Sequence, residues 1–314
     1  MQADPRWTTR GWGYRVKSQD QTLRAVTRIV SLAAGRNYVW RGCTDRSYRI
    51  RSSLFRTIID ESESIPTELE VRRRELAILR EAREWGLAVE MGPLASDLYL
   101  LAHLQHHGIA TRLLDVTYNP MTALWFACEG GDEAGVLFAF DVTDYPTYDT
   151  IDPHQRQTYA LQSKPHEWSL RHSLAVSAKT GSPFLVRPTL RNDRMQAQEG
   201  LFISGAVPLD PSPTGIDGFP LPFVEPPGHD KLENLFSQGE RGPGRPGRLP
   251  FCAIVIPANI KKKIKGHLTA LNRRRSTMYP DVDGFREALR DGDVDLYPLP
   301  ETLSAYEDTD AAGS

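Results

Sequence analysis

No stretch of the 314 residues approaches the roughly 18 consecutive apolar positions that a membrane-spanning helix needs, so no membrane partner is expected. Cysteine is scarce. Cys43, Cys128 and Cys252 are too few and too far apart for a disulfide framework or a zinc knuckle, and a reducing, cytoplasmic setting is the expectation. The amino end, MQADPRWTTRGWGYR, has no apolar segment of the kind a signal peptide carries. Charge of one sign is not in excess either. With 38 basic residues against 40 acidic ones the net charge is −2, so bulk electrostatics demands no polyanionic partner. Several motifs are missing as well. There is no GxGxxG between a strand and a helix, no GxxxxGK[ST], no HExxH and no GxSxG. Rossmann dinucleotide binding, P-loop phosphoryl transfer, zincin chemistry and the serine-hydrolase elbow each lose their support.

The sequence does carry the alternation of an α+β fold, helices first and then strands mixed with helices. TLRAVTRIVSLAAG (22–35) spaces Leu23, Val26, Ile29, Val30 and Ala33 on one helical face closed by Gly35. NYVWRGC (37–43) reads as a strand. The segment 65–86 is the longest helical candidate, with Ser64 or Thr67 as its cap, and 95–108 is a second helix ending at Gly108. ATRLLDVT (110–117) reads as a strand. NPMTALWFACEG (119–130) reads as a short apolar helix begun by Asn119 and Pro120, with Ala123, Phe126 and Ala127 facing inward. Further strands are expected at 135–142, 182–188, 200–207 and 250–257, and helices over 258–291. A polar arm is expected at 1–20, anchored by Trp7, Trp12 and Tyr14. One domain would fill 21–300, with a Pro/Gly-rich loop insertion at 208–249 and a disordered tail at 301–314.

Chemistry concentrates in a few places. In YVWRG (38–42) an arginine follows an aromatic, β-prone run. Arg41 either ends an edge strand in water or is delivered by a buried strand to a pocket, where Gly42 lets a ligand approach the backbone. His103, His106 and His107 share helical spacing, and with Asp115 they leave a metal-dependent hydrolase or nuclease conceivable, with His103, His107 and Asp115 as ligands. No metal is expected, however, because unligated helix histidines are commoner. Thr117 ends a short strand that hands over to an apolar helix, either as a cleft wall or as a packed strand–turn–helix. Gln198 and Glu199 precede a strand that begins at Gly200, and either could reach a ribose hydroxyl. Arg112 and Asp115, three apart, could instead form a buried structural ion pair. KKKIK (261–265) and RRR (273–275) form a basic patch without interleaved aromatics, more suited to a solvated surface than to nucleic acid.

Taken together these segments resemble the FRG domain, a bacterial family. YVWRG stands at its amino-terminal motif, YRIRSSLFR (48–56) at its "xLxPSLFR" segment, and QHHGIATRLLDVTYNPMTALWFAC (105–128) at its central "QHxGxPTRLLDwTxNPxxALxFA". RMQAQEGLFI (194–203) is similar to "RixxQxGxF", and MYPDVDGF (278–285) to the closing "lFPDldG". Ala110, Val116 and Tyr279 depart from the usual residues. The resemblance spans about 36–290. It implies a part in toxin or phage-defence systems, with an antitoxin or defence partner.

The motif order also resembles, more distantly, the ADP-ribosyltransferase fold. That resemblance implies a mixed or antiparallel split sheet with helical amino-terminal and inserted elements. It implies NAD as substrate, with Arg41, Thr117 and either Gln198 or Glu199 as the catalytic set. Tyr38, Trp40, Gly42, His107, Arg112, Asp115 and Phe202 would bind the nucleotide, the aromatics by stacking on nicotinamide. ADP-ribose would pass to water, a protein or a nucleic acid. The alternative expectation is a non-catalytic nucleotide- or nucleic-acid-binding sensor, in which Arg41, Arg112 and the 261–275 patch hold phosphates.

Overall fold

The computed structural model describes residues 11–32, 35–87, 96–150, 166–188, 193–209, 225–236 and 248–294. Among them lie eight strands in one mixed sheet: β1 (Gly13–Arg15), β2 (Tyr38–Cys43), β3 (Leu114–Thr117), β4 (Gly135–Asp141), β5 (Thr147–Asp149), β6 (Phe184–Arg187), β7 (Gly200–Ser204) and β8 (Phe251–Ile256). Their spatial order is β1-β8-β4-β2-β3-β7-β6-β5. The outer pairs, β1 with β8 and β5 with β6, are parallel, and every other pair is antiparallel.

The helices are α1 (Gln19–Leu32), α2 (Ser53–Ser62), α3 (Glu68–Glu84), α4 (Asp97–His106), α5 (Pro120–Cys128), α6 (His166–Thr180), α7 (Asp193–Ala197), α8 (His229–Phe236), α9 (Ala258–Ala270), α10 (Arg275–Met278) and α11 (Val282–Arg290). Local chemistry accounts for several boundaries. Thr67 and Glu70 cap α3 reciprocally, so the second of the two expected caps is the one used. Asn119 accepts from the amides of Met121 and Thr122, and Pro120 occupies the first turn of α5. Gly108, at φ 77°, turns the chain out of the helix that ends at His106.

Two stretches are more ordered than their composition suggests. The polar amino-terminal segment supplies the edge strand β1, with Trp12, Tyr14 and Val16 buried. The Pro/Gly-rich 208–249 segment contains α8, whose Leu232, Leu235 and Phe236 enter the core. The remainder of that segment beyond 225–236 and 248–249 lies almost wholly outside the described residues, as does the expected tail at 301–314.

Strand alternation assigns side chains to the two faces of the sheet. On one face of β1, β8, β4 and β2, Tyr14, Ile254, Leu137, Ala139, Tyr38 and Trp40 pack under α1, α5, α8 and α9. The same face of β6 and β7 carries Phe184, Val186 and Phe202 under α3, α4 and α6. The helical cover thus comes in two groups, with a seam above β2 and β3. On the opposite face Val39, Phe138, Phe140, Val116, Leu201 and Phe251 form a cluster to which no helix contributes among the described residues.

The sheet is weakest at the seam. β2 pairs with β4 at six positions from Tyr38 to Cys43, but with β3 only at Trp40 opposite Thr117. α5 causes the parting by lying directly on β2. A Cβ on Gly42 would collide with the Ala123 carbonyl and stand 2.6 Å from the Ala127 amide nitrogen, and a Cβ on Gly135 would meet the Ala127 carbonyl. Ala123 and Ala127, four apart, are the small face that lets helix and strand backbones touch. The glycine after Arg41 is therefore required by the helix.

Two outcomes test this account. Gly42→Ala is expected to lower stability by about 3 kcal/mol or more, because backbone must move. Gly131→Ala, where nothing lies within 4 Å, should leave the melting temperature unchanged.

A separate prediction concerns Asp97, a buried carboxylate at the start of α4. Its pKa is pushed up to about 6 by burial, against the opposing pull of Arg83, whose Nη2 lies 2.6 Å from Oδ1. The folded state then holds the proton more tightly than the unfolded chain, so Asp97 favours folding at low pH and loses that contribution as pH rises from about 4 to about 6. The melting temperature of Asp97→Asn should improve relative to wild type across that window; a constant difference would exclude the shift.

Candidate functional site

At the seam, where β2 and β3 part, lies a cavity of about 320 Å³. β2 supplies Trp40, Arg41 and Gly42, β3 supplies Asp115, Val116 and Thr117, and β7 supplies Gly200, Leu201 and Phe202. The carboxyl end of α4 adds Gln105 and His106, and α5 adds Thr122, Ala123 and Phe126. Arg194, Met195, Gln198 and Tyr279 close the remaining side.

Arg41 is the central group. Alternation places its side chain with Val39, away from the helical cover, but the missing ladder beyond Trp40 lets it turn into the gap. Its Nη1 donates to the Asp115 carbonyl oxygen at 2.6 Å and stands 3.7 Å from Asp115 Oδ2. A side chain thus replaces part of the absent backbone pairing. Burial works against its charge, but Cys43 and Asp115 outweigh it and raise the pKa, so the guanidinium stays cationic.

Asp115 is 59% exposed at its side chain and is held at one oxygen. Gln105 Nε2 donates to its Oδ2 at 3.0 Å, while Gln105 Oε1 accepts from the Thr111 hydroxyl at 2.7 Å, which fixes which end of the amide faces the carboxylate. The cavity therefore holds an arginine and a carboxylate side by side, each with solvent access. Around them stand Trp40, Phe126, Phe202 and Tyr279. His106 has its pKa lowered by burial first and then by His107 and Arg194, so it is neutral near pH 7.

The far wall is a lock made from the two later motifs. Arg194 grips Asp281 through two parallel bonds, Nε to Oδ2 at 2.8 Å and Nη2 to Oδ1 at 2.9 Å, and its guanidinium lies 4.8 Å from the centre of the Tyr279 ring. Asp281 also caps α11 by accepting from the Gly284 amide. A Cβ on Gly284 would strike the Cβ and carbonyl group of Tyr279, so that glycine lets the Tyr279 backbone lie against the helix. Tyr279 in turn meets Phe126 and Trp125 edge-on.

Of the residues expected at the site, Arg41, Trp40, Gly42, Asp115, Thr117, Gln198 and Phe202 line the cavity. Thr117 has a structural duty there. Its hydroxyl donates to the Gln198 carbonyl at 2.7 Å and accepts from the Asn119 amide at 3.0 Å, tying β3 to the turn before β7. Gln198 itself donates from Nε2 to the Met278 carbonyl at 2.9 Å.

Tyr38, His107, Arg112 and Glu199 are not among the lining residues. Tyr38 is buried and donates to the Leu249 carbonyl. His107 caps the end of α4 and stacks edge-on with His103 and His106. Glu199, at φ 51°, points to Asn119 Nδ2 at 2.7 Å and Arg273 Nη2 at 3.2 Å, so Gln198 is the member of the pair that faces the cavity.

Arg112 is a core cation whose partners differ from the expected Asp115. Its Nε meets Glu75 Oε1 at 2.5 Å and its Nη2 meets Glu68 Oε1 at 3.1 Å. Three-residue spacing would pair Arg112 with Asp115 on a helix. On the run into a strand it sends the two to opposite neighbours.

The other expected clusters also resolve into structure. No group of three or more His, Cys, Asp or Glu side chains that could hold a metal occurs among the described residues. Part of the 261–275 basic run is taken up by contacts, while Lys262, Lys263 and Arg274 are exposed, as a solvated surface would have them. Lys261 is buried and donates to the Thr44 carbonyl at 2.7 Å, Lys265 pairs with Glu129, and Arg275 pairs with Asp291 and Asp293. Gln105, His106, Arg194 and Tyr279 were not foreseen at the cavity, although all four sit inside or beside quoted motifs.

Residues 36–135 match the family model of the FRG domain. The matched stretch runs from the entry to β2 through α5 to the start of β4, and so carries Arg41, Asp115 and Gln105. The Arg194 and Asp281 motifs lie beyond it. No curated protein and no solved structure matches the chain.

Removing one partner of a buried pair leaves the other charge stranded. Glu75→Gln, at a fully buried carboxylate, should therefore cost about 3–5 kcal/mol. Glu68→Gln, at a carboxylate 30% exposed, should cost much less. Equal losses in a denaturant titration would contradict the assignment of Glu75 as the main counter-ion.

Proposed function

We propose that the chain binds NAD in the cleft at the β2–β3 seam and cleaves the bond between its nicotinamide and ribose, releasing or transferring ADP-ribose. The observation that carries this reading is the meeting of Arg41 and Asp115 in an aromatic-walled cavity where β2 and β3, paired at a single position, separate. A cavity of this size suits the nicotinamide–ribose half of a dinucleotide.

Aromatic faces at Trp40 and Phe126 favour a flat, cationic pyridinium ring. Arg41, already desolvated on one side, suits a phosphate or ribose oxygen. As the glycosidic bond breaks, its electron pair leaves on the nicotinamide nitrogen, which loses its positive charge. The ribose carbon becomes oxocarbenium-like and is stabilised by the Asp115 carboxylate. An acceptor hydroxyl then bonds to that carbon and gives up its proton, for which Asp115 is the base in reach. Of the two residues offered for the catalytic set, Gln198 lines the cavity, and it orients the ribose hydroxyls. The acceptor is water, a protein or a nucleic acid, and a toxin or antiphage effector with an antitoxin or defence partner is the setting this chemistry suits.

One observation favours a second reading, that of a nucleotide-binding sensor without catalysis. Glu199 is turned away from the cavity, and the hydroxyl proton of Thr117 is already donated to Gln198.

The test is nicotinamide release from NAD by the purified chain, with and without cell extract. Arg41→Ala and Asp115→Asn should each reduce release by about a hundredfold or more. Asp115→Asn, at an exposed carboxylate, should shift stability by no more than about 1 kcal/mol, whereas Arg41→Ala also frees the Asp115 carbonyl oxygen and should cost about 1–3 kcal/mol. Glu199→Gln should have a much smaller effect on release. NAD binding without release would move the conclusion to the sensor, and no binding at all would sink both.

A further inference from the structure

The segment YRIRSSLFR (48–56) lines no part of the cleft, yet it fastens the backbone that leads into β3. Leu54 and Phe55 are buried with Val71, and Ala110 packs against that cluster. Ser52 caps α2, which leaves the Leu54 amide at the first turn to donate to the Thr111 carbonyl at 3.0 Å. The Ser53 hydroxyl donates to the same carbonyl at 3.2 Å and accepts from the Thr111 amide at 3.0 Å. Both backbone polar groups of Thr111 are thus met by the first two residues of α2.

This clip fixes a hydroxyl, and hydrogen-bond direction follows from it. Thr111 is fully buried. Its Oγ1 accepts from the Leu113 amide at 3.1 Å, and its single proton goes to Gln105 Oε1 at 2.7 Å. Gln105 therefore turns Nε2 toward Asp115 Oδ2, at 3.0 Å. Oδ2 is committed as an acceptor, with Arg41 3.7 Å from it, while Oδ1 has no partner among the described residues.

We propose that Thr111 and Gln105, with Ser53 holding Thr111, are positioning residues for Asp115: they keep Oδ2 as an acceptor and leave Oδ1 as the oxygen that takes the proton of the incoming hydroxyl. This assignment rests on the NAD-cleaving reading of the cleft. In that step the bond to nicotinamide has broken with its electron pair on the ring nitrogen. The hydroxyl oxygen bonds to the ribose carbon, and its proton passes to Oδ1. A carboxylate free to rotate presents either oxygen, whereas one held at Oδ2 presents the same oxygen at every turnover. Such preorganisation acts on the chemical step more than on binding. The 48–56 segment thereby acts on the cleft without entering it.

The experiment measures nicotinamide release from NAD by the full chain and its variants. Gln105→Glu keeps an acceptor for Thr111 but turns a second carboxylate oxygen on Asp115. It is expected to lower kcat at least about tenfold and to leave KM within about twofold. Its release should recover as pH falls from about 7 to about 5, because two facing carboxylates take up one proton between them and regain the lost bond. Arg41, His106, Arg194 and Tyr279 are the other ionisable groups lining the cleft, and wild type shares them, so a gain confined to the variant belongs to the new carboxyl group. Thr111→Val should also lose kcat, Thr111→Ser should return most of it, and Ser53→Ala should show a smaller loss. Thr111→Val strands the Leu113 amide as well, and if it does not fold, Gln105→Glu carries the test. The side-chain amide resonances of Gln105, assigned by their loss in Gln105→Glu, read the same contact without NAD. They should move in Asp115→Asn and stay near their wild-type positions in Thr111→Ser. Resonances that ignore Asp115→Asn, a wild-type kcat in Gln105→Glu, or a rise in KM in place of the loss of kcat overturns the proposal. No release by wild type, with resonances that do respond, removes the NAD reading and leaves Gln105 as the residue that positions Asp115.

Discussion

Between β2 and β3 the backbone ladder narrows to Trp40 opposite Thr117, and just past that pair α5 presses its own backbone onto Gly42. A sheet strand normally satisfies its edge by pairing along its length. Here β2 is fully paired to β4 and nearly unpaired to β3, so the polar groups exposed at the gap must be met in another way. Arg41 meets one of them by donating to the Asp115 carbonyl. The cavity, the placement of the cation and the exposure of the Asp115 carboxylate all follow from that parting.

The buried ion pairs keep the parting from spreading. Glu75 accepts from both Arg112 and Arg72, which fastens α3 to the run leading into β3, and Arg112 also reaches the Gly205 carbonyl just past β7. On the other flank Arg194 and Asp281 fasten α7 to α11. Such pairs contribute little net stability where their desolvation is costly, but removing one member is expensive, so they hold register more than they hold the fold together. Three of the arginines in the quoted motifs thus have distinct duties. Arg112 locks the core, Arg194 is committed to Asp281 through two bonds at the far wall, and Arg41 stands in the cleft beside the half-exposed Asp115 carboxylate.

The cleft is also chemically asymmetric. Its α5 side is apolar and packed through small residues, whereas its α4 side presents Gln105 and neutral His106. Gln105 links the two, since Thr111 sets its amide and Thr111 in turn exchanges hydrogen bonds with Ser53 at the start of α2. The polar chain therefore runs from the start of α2 to the Asp115 carboxylate in the cleft. Apolar burial sets where the strands lie, and hydrogen-bond direction sets which atoms face the ligand space.

Much of this was legible in the linear chain. The α+β class, the strand at 37–43, the capped helix begun by Asn119 and Pro120 and the buried strand at 135–142 come from local periodicity and cap chemistry, which act over a few residues and need no partner. The amino-terminal motif pointed to Arg41, and the central motif to Asp115 and Thr117, through the resemblance those motifs carry. Tertiary structure decided the rest. It made Gly42 a seat for α5, gave Arg112 to Glu75 rather than to Asp115, turned Glu199 toward Asn119 and left Gln198 facing the cavity. It also paired Arg194 with Asp281 across 87 positions. A side chain's partner depends on which backbones are forced together by packing, and spacing along the sequence does not contain that distance.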